Sequence, residues 1–461
     1  MAGTMPHGRA DPRQMRPEAG SRAAAVIAVT SSLPDGGVVA EGGAPFDSAP
    51  SEVRRPHWRR ALVLLWLGQV ISHLGDSLYL VGMVWLALEV TGSKALTGWL
   101  VALNFAPTLL VGPLAGALVD RHDRRAIMIA ADTVRFLAVA SIPVLFAHHA
   151  LAPAVLGALL AVLATGSAFF NPAMKALIPE IAPGRRLTFT VAVFQLSEQA
   201  AFVAGPLLGE PATRHFGFVH LFSVDAATFA FSAVCLLALP RLGRKQSHAA
   251  AHARLPQLTL RGLRADAAVA LRTVLAIPAL RTVLLLTALD NLVIMGPAYI
   301  ATPILVKETL GLGPEGYMRA MFHLFLGLMV GSLVVGLGGR RWPKGKMILL
   351  GIFLDGATLI PLGFAHDLTF VKWVLFVHAL ALPLIIIPRT VMMQQAVPGR
   401  LHGRLFALVN VMVFGMTGIS AGLTGLVIAH LPPTTLFVAV GLLGAAVGLL
   451  GTRSAALRRA A

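Results

Sequence analysis

The chain has 461 residues, 56% of them apolar and only 13% charged, with a mean hydropathy of +0.76. Soluble domains carry about a quarter charged residues, so this composition excludes a water-soluble globular protein. The formal charge of +17 comes without basic–aromatic interleaving or a soluble domain, which argues against nucleic acid as a partner.

Residues 1–55 are rich in Gly, Pro and Arg, show no lasting periodicity and read as a disordered cytoplasmic tail. Their AAAVIAV patch is too short for the apolar region of a signal peptide. Twelve apolar stretches then follow, at 61–88, 97–119, 126–147, 154–177, 188–209, 218–239, 282–305, 318–338, 347–366, 371–391, 403–429 and 433–452. A hydrocarbon layer about 30 Å thick needs ~20 helical residues to cross it, because backbone polar groups there must be satisfied within a helix or a closed barrel. The expected fold class is an all-α membrane protein of twelve transmembrane helices. The lone cysteine, Cys235, lies in an apolar run, where it reads as a packing residue.

Basic residues crowd into alternate turns. Arg54, Arg55, Arg59 and Arg60 precede the first span, Arg121, Arg124 and Arg125 follow the second, and Arg185 and Arg186 follow the fourth. The polar segment 240–281 is Arg-rich, and Arg340, Arg341, Lys344, Lys346, Arg400, Arg404, Arg453, Arg458 and Arg459 continue the pattern. The opposite turns hold only Lys94, Arg214, Lys307, Arg319 and Lys372. Positive loops stay cytoplasmic, so both termini are expected inside a plasma membrane, with the basic face near anionic headgroups.

The chain also repeats itself. Asn171-Pro172 ends one span before an Ala182-Pro183-Gly184-Arg185 turn, and Ile387-Pro388 ends another before Val397-Pro398-Gly399-Arg400. Pro172 and Pro388 lie 216 residues apart, Pro183 and Pro398 215 apart, and Asp132 in span three answers Asp355 in span nine. Two parallel six-helix bundles, with a substrate site between them near the midplane, are a secondary-transporter architecture. The expected domains are residues 56–240 and 282–461, joined by a cytoplasmic linker at 241–281.

Two motifs carry a family resemblance. Gly112-Pro113-Leu114-Ala115-Gly116-Ala117-Leu118-Val119-Asp120-Arg121-His122-Asp123-Arg124-Arg125 resembles the loop signature between the second and third helices of the major facilitator superfamily, with Asp123 where that signature usually has glycine. Gly116 would let helices approach closely, and Asp120, Arg121, Arg124 and Arg125 would pair across helix ends to latch one conformation. Gly205-Pro206-Leu207-Leu208-Gly209 resembles the motif of antiporter members, a smooth kinked face packed on another helix, with Glu210 where a further glycine is common. Gln69 to Asp76, Leu88 to Ser93, Phe170 to Pro172 with Ile178-Pro179-Glu180, and Gly311 to Tyr317 are similar to the branch containing macrolide-type drug exporters and the enterobactin exporter. That resemblance implies proton-driven efflux of a small amphipathic compound by alternating access.

A charge near the bilayer centre costs about 2.5–3.5 kcal/mol on insertion scales, so each must be neutralised, paired or functional. Asp76, Glu198, Asp225 and Asp290 are the candidate coupling or substrate residues, with helix–helix hydrogen bonding as the plainer reading. Asp132 and Arg135, three apart on one helix face, are a candidate structural ion pair, and Arg389 is expected to snorkel. No Walker loop, metal-ligand spacing or catalytic constellation is evident, so neither an enzyme, a metal nor a cofactor is expected. The expected partners are a small-molecule substrate, protons and membrane lipids, with no obligate protein partner. Lipid transport, uniport and a transport-inactive membrane sensor remain alternatives on sequence alone.

Overall fold

The computed structural model describes residues 58–182, 186–240 and 260–460. The tail at 1–55 and the first part of the linker, 241–259, lie outside the described residues. Among the described residues, all regular structure is helical, and twelve helices are long and apolar enough to cross a membrane. We number them α1 (Trp58–Thr91), α2 (Lys94–Arg121), α3 (Arg124–Ala147), α4 (Pro153–Ile181), α5 (Arg186–Phe216) and α6 (His220–Ala238). The second set is α7 (Pro278–Thr309), α8 (Pro314–Gly338), α9 (Lys344–Phe364), α10 (Leu368–Ala396), α11 (His402–Ile428) and α12 (Pro433–Gly451).

Local chemistry explains where these helices start. The α1–α2 turn needs Gly92, whose φ of +56° is a left-handed conformation that glycine adopts without a Cβ clash, and Ser93 then caps α2 by accepting from the Leu96 amide at 3.4 Å. Asp367 caps α10 by accepting from Phe370 N at 2.8 Å. Pro153, Pro278, Pro314 and Pro433 each open a helix, where a missing N–H costs nothing.

Several helices outrun the apolar stretches read from sequence. α5 continues seven residues beyond the expected end at 209, and α1 includes Glu89, because charged side chains near these ends find partners. Within the linker, Leu260–Ala276 is a helix whose Val274 packs with Leu280, Leu405 and Val409. α7 departs most from regularity. From Asn291 onward it is wound largely as π-helix, at Asn291–Met295, Pro297–Ala301 and Leu305–Thr309, in a stretch that contains Gly296, Pro297 and Pro303.

Packing shows the expected duplication. In the first half α1 packs on α5 and α6, α3 on α4 and α6, and α2 on α4; the second half repeats each pairing as α7 on α11 and α12, α9 on α10 and α12, and α8 on α10. The halves are two six-helix bundles that meet chiefly through α2 against α11 and α5 against α8. The outer surface carries large exposed apolar side chains such as Leu110, Phe189, Phe216 and Leu337, the reverse of a soluble protein and the expected face toward lipid tails.

Candidate transport site and its gates

Twelve crossings return the chain to the side where it began. We call this the terminal end and the opposite side the far end. At the far end the halves are closed against each other. Lys94 Nζ lies 2.7 Å from Glu308, Lys307 Nζ 2.7 Å from Glu89, and Arg319 2.7 Å from Glu210, which also holds Arg214 at 2.5 Å. Trp85 stacks on Tyr317 with centroids 6.3 Å apart, and Lys307 lies 5.5 Å over the Trp85 ring. Beneath these pairs α2 and α11 cross at glycines: a Cβ on Gly98 would sit 2.6 Å from the Ala421 carbonyl oxygen and 2.8 Å from Gly425 Cα. Such small-residue crossings let backbones approach where lipid supplies no hydrophobic drive between helices.

Toward the terminal end the same helix pair separates. A Cβ on Gly418 would find Ala102 O at 3.5 Å, one on Gly415 would find only Leu109 at 3.8 Å, and those on Gly112, Gly116 and Gly403 would meet nothing within 4 Å. The expectation that Gly116 marks a close helix approach is therefore corrected: in this conformation it faces open space, because the α2–α11 crossing lies at the other end of α2.

The basic signature binds helices within one half. Arg124 donates to the Ala176 carbonyl at 2.9 Å and to Glu180 at 2.5 Å on α4, while Arg125 donates to the Leu236 and Leu237 carbonyls at 2.7 and 2.8 Å, satisfying the C-terminus of α6. Asp123, the departure from the signature, caps α3 by accepting from Arg125 N at 2.9 Å. Arg121 ends α2, and the side chain of Asp120 lies outside the described set.

At mid-depth an aromatic layer lies between the halves. Phe105 of α2 contacts Tyr299 of α7 and Phe414 of α11 at centroid distances of 5.9 and 6.2 Å, and Phe202 of α5 contacts Phe325 of α8 at 5.4 Å. Glu198, one turn from Phe202 toward the terminal end, is half-buried and accepts from Gln195 at 2.9 Å. Asp76 of α1 is also half-buried and lies 3.5 Å from His73, which feels the charge of Glu198 as well. Of the candidate carboxyls, these two are the ones that are not fully buried. The antiporter-like stretch packs beside them: a Cβ on Gly205 would lie 2.6 Å from Ser77 Cβ on α1, and one on Gly209 3.3 Å from Met318 Sδ on α8.

The other candidates are buried inside their own halves. Asp132 and Arg135 form the expected ion pair, with the guanidinium sandwiched between Phe170 and Phe229 at 4.1 and 4.4 Å. Asp225 of α6 is fully buried, packs against α1 at Gly75, and accepts from Thr228 at 3.4 Å. In the second half Asp290 of α7 and Asp355 of α9 face each other, and His378 of α10 brings Nε2 to 3.5 Å from Asp355. Arg389, expected to snorkel, is half-buried and close enough to Asp290 for the two charges to be felt. His378, Glu89, Glu210 and Glu308 were missed as site residues. Their signal was an ionisable group within or at the end of an apolar span, together with the few basic residues on the Arg-poor side, four of which join the far-end pairs.

Among the described residues no cluster of His, Cys, Asp and Glu could hold a metal ion. The geometry is that of a two-bundle transporter closed at one end. The model of the Major Facilitator Superfamily matches residues 65–421, and the chain belongs to that family. It is 23% identical over 365 residues to macrolide efflux protein A of Streptococcus pyogenes, covering 76% of this chain and 85% of the relative. It is 27% identical over 384 residues to the multidrug efflux pump Tap of Mycolicibacterium fortuitum, covering 80% and 88%. Among solved structures, the nucleoside transporter NupG superposes with a TM-score of 0.71 at 11% identity, over 85% of this chain and 99% of that one. The chain is thus a multi-pass membrane transporter of the Major Facilitator Superfamily.

Proposed function

We propose that this protein exports small amphipathic compounds across the cell membrane in exchange for protons, by alternating access, with both termini in the cytoplasm. The moving bodies are residues 56–240 and 282–461, tethered by 241–281. The observation that carries this reading is the opposed state of the two ends: ion pairs and a glycine crossing close the far end, while the α2–α11 pair splays toward the terminal end. The aromatic layer of Phe105, Phe202, Tyr299, Phe325 and Phe414, with the half-buried carboxyls of Asp76 and Glu198 nearby, suits a ligand that is apolar over most of its surface and polar at one edge. The names of the relatives support macrolides or other drugs as the cargo class. The Arg-rich terminal end supports the cytoplasmic placement.

Purified protein in lipid vesicles tests this reading. Erythromycin and ethidium should move against their gradients when a pH difference is imposed, and collapse of that difference should abolish the movement. Flux indifferent to the pH difference would contradict proton coupling.

A further inference from the structure

The second half holds a carboxyl pair that the substrate-facing candidates do not explain. Asp290 and Asp355 are 3% and 0% exposed, and with both groups ionised one oxygen of Asp290 and both of Asp355 have no hydrogen-bond donor. Buried polar atoms without partners are rare in native proteins because each costs its full desolvation. The first half shows the alternative. Asp76 on α1 and Asp290 on α7, like Asp132 on α3 and Asp355 on α9, lie on corresponding helices of the two halves. Asp132 has Arg135 three residues on; Asp355 has Thr358.

Thr358 donates its hydroxyl proton to the Leu354 carbonyl at 2.6 Å, so His378 Nδ1, 3.0 Å away, is the donor to Thr358 Oγ1. That fixes the ring and leaves Nε2, the acceptor nitrogen of a neutral imidazole, 3.5 Å from Asp355, to which it supplies no proton. The remaining charged neighbour is Arg389 on α10, whose charge Asp290 feels but which makes no ion pair with it among the described residues. α12 contains no ionisable residue, and the two on α11, His402 and Arg404, sit at its terminal end.

Resting on the reading of this protein as a proton-coupled exporter, we propose that Asp290 and Asp355 share one bound proton, that His378 positions the pair, and that this is the site where the driving proton is held. The shared proton supplies the missing donor: the protonated carboxyl donates to its ionised partner. Its release leaves two carboxylates facing each other in a low-dielectric interior, and their repulsion drives α7 and α9 apart. α7 is suited to carry that displacement. Its π-wound stretch starts at the next residue, Asn291, which accepts from Thr417 of α11 at 3.3 Å, and Gly296 N donates to Ser420 of α11 at 2.8 Å. The far end of the same helix carries Lys307 and Glu308, two members of the closing ion pairs.

Infrared spectra of the full-length protein in lipid vesicles across a pH range test this without a substrate. The wild type should show a buried carboxylic-acid C=O absorption that both Asp290→Asn and Asp355→Asn abolish, since an amide donor in the proton's place leaves the other group ionised. His378→Gln should shift the absorption without removing it. No such absorption in the wild type, or its loss in only one of the two Asn variants, overturns the shared proton, whether or not the variants transport. In the same vesicles both Asn variants should keep erythromycin exchange across equal pH and lose pH-driven accumulation; intact accumulation overturns the driving role. An absorption that behaves as expected in a wild type whose flux ignores pH leaves the shared proton standing and contradicts coupled export instead.

Discussion

Asp132 and Arg135 show how a charge survives inside a helical bundle. Both are buried, each neutralises the other, and two phenyl rings cover the guanidinium. Removing one partner strands the other, a loss of about 3–5 kcal/mol for buried pairs. Arg135→Ala should therefore lower the detergent melting temperature sharply and reduce folded yield, whereas Asp132→Asn with Arg135→Met together should recover much of it. An Arg135→Ala protein as stable as wild type would contradict a structural role. A smaller effect belongs to Asp123, whose loss to Ala should cost about 1 kcal/mol, the usual worth of a helix N-cap, seen as faster amide exchange in the first turn of α3. The Asp132–Arg135 pair was legible because its spacing is local. Glu210 was not, because its partner Arg319 comes from the other half of the chain, and pattern in one span carries no information about a neighbour 109 residues away.

At the scale of helices, length and apolarity located all twelve spans, since a fixed bilayer thickness imposes both. Their ends were read short because hydropathy treats Glu89 or Glu210 as a terminus, while a partner across the interface lets the helix run on. The winding of α7 was not legible for a related reason. Gly296, Pro297 and Pro303 are visible in the sequence, but which hydrogen bonds they displace depends on α11, where Ser420 receives the Gly296 amide. The crossing of α2 and α11 gives a test at this scale. Gly98→Leu would force the backbones apart at the far end, where a single Cβ already has no room beside Gly425. The variant should fold, bind cargo and fail to close the far end, seen as labelling of far-end cysteines by impermeant reagent in the Cys235→Ala background. Unchanged protection would show that the crossing is not what closes that end.

Across the whole molecule, the duplication explains both the fold and its motion. Matching helices pair in the same order in each half, and the two halves meet along α2 with α11 and α5 with α8. The far-end ion pairs are partly exposed, and such pairs are worth about 0.2–1 kcal/mol each. That is enough to bias an equilibrium severalfold and too little to lock it. Reversing Lys307 to Glu should repel Glu89 and shift the population toward a far-end-open state by about fivefold or less, and adding Glu89→Lys should restore it; failure of the double reversal to restore would separate these residues from the gate. The internal repeat made the two-bundle plan legible from sequence, whereas the conformation adopted here depends on glycines and charges that meet only across the halves.

The measurement that bears most directly on this account is a pair of spin-label distances in the Cys235→Ala background, one between Leu114 and Val411 at the terminal ends of α2 and α11, the other between Leu96 and Val427 at their far ends. As pH is changed or erythromycin is added, the two distances should change in opposite senses, the terminal one shortening as the far one lengthens. Distances that change together, or not at all, would contradict alternating access between these two bundles.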